Sequence, residues 1–375
     1  MKTTLFIIKQ ILFSFSLLSP LWAMEQPSKP GQKLLISRAQ RDDASAQLQL
    51  AQDYLDQGNL QEAQYWALKV ISSSDEKDDT FTQGAALSYF IEGKVLEQKG
   101  TLKAAKEKYV LAAHRGSWQA QNKLGELAAQ EKNFEEAKKW YTLALPSNQD
   151  IVYNNLGKLA EESNNNREAR KWYQKSGNTN ALALLHKKED NRAEAKRLLS
   201  VAANINCGYA YYHLGLMEFE ENSLEKAEYN LKKALTAKVC PDEPNYLGDT
   251  YYLLSRVQEK LKKPSEAEEA LSKAVTDYHD IKAAHRLGNI YFKQGKTEQA
   301  KEMFLQAAKQ NFRPSLFNLG AIAEREKDVT VAKKYYTQAS QLEFGRAKQR
   351  LRFLIERDVK KMRAKQAQEE QKSSL

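Results

Sequence analysis

Apolar and polar residues follow one another along this chain with the period of an amphipathic helix, most clearly from Ile281 to Gln310. Leu287, Tyr291 and Phe304 supply the large side chains of a buried helical face. Gly288, Ala300 and Ala307 are small enough to let two helices cross closely. Gly295 lies between the two apolar runs, where a residue of positive φ commonly ends a helix. The pattern predicts two helices joined by a tight turn. One such hairpin leaves its apolar face in water, so it needs further hairpins on either side.

The rest of the chain supplies them. The alanine that opens each second helix recurs as Ala63, Ala105, Ala137, Ala169, Ala195, Ala227, Ala267, Ala300 and Ala332, at intervals of 42, 32, 32, 26, 32, 40, 33 and 32 residues. Seven residues beyond each stands a small or short apolar side chain: Val70, Ala112, Ala144, Ser176, Ala202, Ala234, Ala274, Ala307 and Ala339. A Leu-Gly pair marks the first helix at Leu124-Gly125, Leu156-Gly157, Leu214-Gly215, Leu287-Gly288 and Leu319-Gly320. Ala51, Ala183 and Ser255 replace that glycine in the first, fifth and seventh repeats. Asn59, Asn133, Asn165 and Asn191 stand where they would cap second helices, each followed three residues later by Glu62, Glu136, Glu168 or Glu194. The wider intervals, residues 73–92 and 236–254, predict lengthened first helices in the second and seventh repeats. With 8 Pro, 16 Gly and no alternating Val/Ile/Thr runs, strands are not expected.

A spacing of about 34 residues is the tetratricopeptide period. The Leu-Gly pair followed by A-x-x-x-F/Y-x-x-A resembles the tetratricopeptide repeat over roughly Ala44 to Ala339, and AKKWYTLAL and AKKYYTQAS resemble its Sel-one-like relative. The resemblance implies an all-α, right-handed solenoid of about nine hairpins, residues 44–342. It implies a first-helix face that lines a concave groove, and a protein-binding rather than catalytic role.

The ends read differently. Lys2 and Lys9 precede the apolar run Ile11 to Leu18, and Pro20-Leu21-Trp22-Ala23 ends on a small residue, the layout of a secretory signal cut near Ala23. An uncleaved anchor is the alternative, although a spanning helix needs about 20 apolar residues. Residues 24–43 are expected to be a flexible leader. Cys207 and Cys240, the two cysteines, fall at helix ends that an antiparallel hairpin brings together. An exported protein would permit a bridge; a reducing compartment would leave two free thiols.

Of the formal net charge of +10, most lies in the last thirty residues. Leu351, Ile355, Val359 and Met362 form an apolar stripe there, predicting a basic capping helix over residues 343–363 and a disordered tail over 364–375. The basic helix offers weak contact with an anionic surface.

Nothing in the chain spells an active site. The five histidines, His114, His186, His213, His279 and His285, form no metal-binding spacing, and no phosphate loop or nucleophile motif is present. No cofactor, small-molecule substrate or specific nucleic acid is expected. By the resemblance, residues three before, one after and four after the glycine position face the groove. In the third and fourth repeats these are the polar Asn122, Glu126, Ala129, Asn154, Lys158 and Glu161. Later repeats offer Tyr212, Leu216 and Phe219, with Tyr209 a turn earlier, then Tyr252 and Arg256, then His285, Asn289 and Phe292, then Phe317. That is an aromatic and basic channel for a peptide, unless these rings are buried in helix seams. Co-chaperone tetratricopeptide domains grip a terminal carboxylate with Lys, Asn, Asn, Lys and Arg; the matching positions hold His285, Asn289, Asn318, Arg346 and Arg350. The reading is an interaction scaffold of the cell envelope or secreted space. Its alternatives are a secreted factor engaging host proteins and a scaffold binding membrane or cell-wall surfaces.

Overall fold

All nine register alanines are fully buried, at 0 % exposure, because each sits where its helix crosses a neighbour. The protein, a computed structural model, is described over residues 30–147, 149–240 and 246–373; the expected export signal and its cut at Ala23 lie outside these residues. Two units divide the chain between Asn178 and Thr179. The first holds α1 (Pro30–Ala39) and four hairpins: α2 (Ala44–Asp56) with α3 (Leu60–Ser73), α4 (Asp79–Gln98) with α5 (Leu102–Ala113), α6 (Trp118–Gln130) with α7 (Phe134–Ala144), and α8 (Gln149–Glu162) with α9 (Asn166–Ser176). The second holds five more: α10 (Thr179–Lys188) with α11 (Arg192–Asn204), α12 (Gly208–Glu220) with α13 (Leu224–Thr236), α14 (Tyr246–Lys260) with α15 (Pro264–Thr276), α16 (Ile281–Lys293) with α17 (Thr297–Ala308), and α18 (Arg313–Arg325) with α19 (Val329–Gln341). Helix α20 (Gly345–Ser373) packs on α19. Among the described residues there is no strand beyond a single bridge between Cys207 and Lys238.

Each hairpin is locked by one pair of side chains sixteen residues apart. A Cβ built on Gly93, Gly125, Gly157 or Gly320 would lie 2.4–2.7 Å from the ring of Tyr109, Tyr141, Tyr173 or Tyr336, and one on Gly288 2.7 Å from Phe304. Glycine is there because the ring takes the space. Where the first member is larger the second shrinks: Ala51 with Ala67, Ala183 with Leu199, Ser255 with Leu271, all fully buried. The departures from the Leu-Gly pattern are therefore compensated inside each hairpin.

The turns are equally uniform. The residue five before every register alanine has positive φ: Gly58, Gly100, Lys132, Asn164, Asp190, Asn222, Lys262, Gly295 and Lys327, between 57° and 78°. The expected caps form next to it, with Asn59, Asn133, Asn165 and Asn191 each accepting from the glutamate N–H three residues on, at 3.2–3.3 Å. Two of the glutamates reach back to the cap side chain rather than to its backbone, with Asn133 Nδ2 donating to Glu136 Oε2 at 2.8 Å and Asn165 Nδ2 to Glu168 Oε2 at 3.0 Å.

Ion pairs then join one hairpin to the next. In five hairpins the residue after the register alanine is a lysine that pairs with an acid of the following hairpin or closing helix: Lys106–Glu131, Lys138–Glu168, Lys196–Glu218, Lys301–Glu326 and Lys333–Asp358. At the sixth hairpin the sign reverses, and the nearly buried Glu228 takes Lys263 at 2.7 Å.

Two expectations about segments, the leader and the end of the last helix, need correction. The leader is helical from Pro30 to Ala39 and buries Ala39 against the first hairpin, so the stack begins inside it. The wide interval in the second repeat gives a twenty-residue first helix, α4, and that in the seventh precedes α14, fifteen residues against thirteen in α12, α16 and α18. There α13 stops at Thr236, and the chain turns back beside the start of α12 through Gly208 N to Lys238 O (2.9 Å) and Lys238 N to Asn206 O (3.0 Å). The helix expected to end at residue 363 continues to Ser373, since Ala, Lys, Gln and Glu beyond Ala364 are all strong helix formers.

Candidate partner-binding faces

First helices of successive hairpins touch through polar side chains, which gives each unit one continuous first-helix face. In the first unit Lys123 pairs with Glu97 at 2.8 Å, and Asn155 Nδ2 donates to Asn122 Oδ1 at 2.7 Å, whose own amide donates to Glu126. The second unit repeats that register. Asn318 Nδ2 donates to Asn289 Oδ1 at 2.9 Å, and Asn289 Nδ2 lies 3.1 Å from His285 Nε2. Because that nitrogen must accept, Nδ1 carries the proton and donates to Ser315 Oγ at 2.9 Å. Burial, then the charge of Arg286, lowers the pKa of His285 and favours this neutral form.

That network corrects the carboxylate clamp. Asn289 and Asn318 are bonded to each other, and His285 is an uncharged link between hairpins. Arg350 is held in two-pronged fashion by Glu324, with one bond at 2.8 Å. Glu324 also accepts from Tyr336, whose pKa is pushed up to about 12 by burial first and by this carboxylate second. A carboxylate four residues after the glycine bonding the tyrosine of the second helix recurs as Glu97–Tyr109 and Glu161–Tyr173, so Glu161 faces its own hairpin's tyrosine. Of the five clamp positions, Arg346 alone presents an uncommitted cation.

The aromatic residues fall into two groups. Tyr209 and Tyr212 are half-buried and turned onto each other, His213 and Tyr246, with ring centroids 4.4–6.4 Å apart. They form a packing knot rather than a channel wall. Tyr252 is half-buried against the core of the eighth hairpin, next to Arg286, which Glu259 neutralises. The second group is different. Arg256 lies 4.9 Å and Lys260 4.6 Å from the Phe219 centroid, Arg325 5.7 Å from Phe292, and Arg346 5.3 Å from Phe317. Arg256, Arg325 and Arg346 have no ion-pair partner among the described residues, and the rings hold them in place.

Sequence reasoning chose Phe219, Arg256, Phe292, Phe317 and Arg346 but missed Arg325 and Lys260, which lie five residues beyond the glycine position of their repeats and one beyond the last position it followed. Cys207 and Cys240 are brought together with Cα atoms 5.7 Å apart and joined as a disulfide, and Asn180 Nδ2 donates to Cys207 Sγ at 3.3 Å. Among the described residues no group of three His, Cys, Asp or Glu is arranged to hold a metal, and no helix is long and apolar enough to cross a membrane.

Tetratricopeptide-repeat models match residues 92–150, 248–276 and 281–312. A Sel1 repeat protein from Oxalobacter formigenes is 20% identical, with a TM-score of 0.49 over 90% of this chain and 94% of that one. A protective antigen of uropathogenic Escherichia coli strains, displaying an SLR fold, is 20% identical, with a TM-score of 0.46 over 85% of this chain and 81% of that one. No curated protein matches the sequence. Likenesses this distant carry no argument about function.

Proposed function

From a chain built of tetratricopeptide and Sel-one-like hairpins, repeats that generally bind other proteins, we propose an exported scaffold that holds an acidic, extended segment of a partner on the first-helix face of its second unit. The observation that carries this is the set of arginines without ion-pair partners, Arg256, Arg325 and Arg346, each laid over a half-buried phenylalanine. Two other cations on this face are neutralised, Arg286 by Glu259 and Arg350 by Glu324. A ring-held guanidinium is already ordered, so a carboxylate that meets it loses little conformational freedom.

The test is a panel of extended peptides of fixed length and graded acidity, titrated into the full chain. Acidic members are expected to bind, to weaken as salt rises, and to lose about tenfold or more in affinity with Phe219→Ala/Phe292→Ala/Phe317→Ala. Binding indifferent to acidity, or unchanged in that variant, would sink the reading. Export is supported by the disulfide, which needs an oxidising compartment, and by the expected signal. Thiol labelling of protein taken directly from cells checks it: blocked cysteines agree with export, and fully labelled ones refute it.

A second reading rests on α20. Its residues 359–369 are all exposed, and Ile355, Val359 and Met362 lie beside Lys360, Lys361, Arg363 and Lys365. Such a face suits adsorption to an anionic membrane. Reversing those four charges should abolish sedimentation with anionic vesicles while leaving peptide binding intact; unaltered sedimentation excludes it.

A further inference from the structure

The first-helix face of the first unit carries a crevice of about 470 Å³ that the reading above does not use. Four glutamines, Gln49, Gln52, Gln83 and Gln119, open onto it from three hairpins, together with Trp118 and Arg115. Two of the amides are fixed in orientation. Ser117 Oγ donates to Gln119 Oε1 at 3.2 Å, Gln119 Nε2 donates to Gln52 Oε1 at 3.2 Å, and Gln52 Nε2 donates to Asp56 Oδ1 at 2.7 Å. The carboxylate at the end of this chain permits one direction only, so each pinned amide keeps one N–H free. The bond from Gln119 to Gln52 spans 67 residues and links the first hairpin to the third. Gln49 and Gln83 stand exposed at its rim.

We propose that this crevice binds a saccharide. A primary amide both donates and accepts, as each sugar hydroxyl does, and several such groups converge here around an indole and the aliphatic Leu48 and Leu87. The apolar wall suits the C–H face of a pyranose ring. No carboxylate lines the crevice and Arg115 is its one charged group, which disfavours cations and admits neutral or acidic sugars. The volume falls within the roughly 300–1,000 Å³ usual for small-ligand sites. Preset amides spare the ligand the cost of ordering them.

Titration calorimetry of the full chain against neutral, N-acetylated and uronic-acid oligosaccharides, with a Gly-Ala peptide as control, tests the assignment. At least one sugar should bind. Gln49→Ala/Gln83→Ala, two exposed positions whose loss leaves the fold intact by circular dichroism, should weaken it about tenfold, as removal of several neutral hydrogen bonds does. The phenylalanine triple variant of the second unit should leave sugar binding unchanged, which separates failure here from failure of the peptide reading. No sugar binding at millimolar concentration, binding unaffected by the glutamine variant, or equal binding of the Gly-Ala peptide would each overturn the proposal.

Discussion

The two units share a register and differ in what they do with it. In the first, three of four hairpins close on a glycine against a tyrosine, at Gly93, Gly125 and Gly157, and the shared face carries an amide-rich crevice. In the second, the lock varies from Ala183–Leu199 through Gly215–Leu231, Ser255–Leu271 and Gly288–Phe304 to a single glycine–tyrosine pair, Gly320–Tyr336, and the face carries ring-held arginines. The second unit also holds the disulfide and a buried, unbonded imidazole, His213. The lesson is that the lock and the face vary independently. Buried pairs need only fill their space within one hairpin, so the exposed positions are left to chemistry.

The largest expected effect separates the units by their cysteines. Cys207→Ser removes a bridge between residues 33 apart, which in the chain-entropy model costs about 3–4 kcal/mol. Hydrogen exchange should speed across the sixth hairpin while the first unit keeps its protection; equal change in both units would show that the units do not respond separately.

Acid provides the next test. Burial first, and the charge of Lys187 second, lower the pKa of His213 from 6.5 to about 4, against the opposing pull of Glu220. The unfolded chain therefore binds the extra proton between these values. The native state loses stability as pH falls from about 6.5 to about 4, by roughly 3 kcal/mol in all, and the loss levels off below that. Tyr209 and Tyr212 flank the ring, and burial first pushes the pKa of Tyr212 up to about 12. Exchange measured across that range should rise around α12 and α13 in the native protein and stay flat in His213→Phe. A first unit equally sensitive would place the acid response elsewhere.

The smallest effect tests the independence of the locks. Gly125→Ala pushes a methyl to 2.5 Å from the Tyr141 ring and should cost about 1–3 kcal/mol, partly offset by the better helix propensity of alanine. Adding Tyr141→Leu copies the Ala183–Leu199 lock and should recover part of the loss. Denaturant midpoints read it directly; a double variant weaker than the sum of its singles would show that the locks are not interchangeable.

Much of this was legible in the sequence because local pattern and tertiary contact coincide in a repeat. A register alanine identifies a crossing wherever it occurs, and Asn59, Asn133, Asn165 and Asn191 cap whatever helix follows them. Site residues were less legible. Phe219 and Phe317 were found by register, but the same rule selected Tyr212, which packs into a knot with His213 and Tyr246, and the clamp resemblance selected Arg350, which belongs to Glu324. A position within a repeat fixes which face a side chain lies on, not which neighbour reaches it first.

The sequence by itself determined the all-α hairpin stack, its period, its turns and its caps, since each depends on residues close together in the chain. Only the tertiary structure decided which arginines are spent in ion pairs and which rest on rings, and that Gln119 meets Gln52 across an intervening hairpin. It also showed the segment after Thr236 folding back to bring Cys240 to Cys207. Those outcomes depend on distances between hairpins, which are set by how each packs on the next and are not encoded in any one repeat.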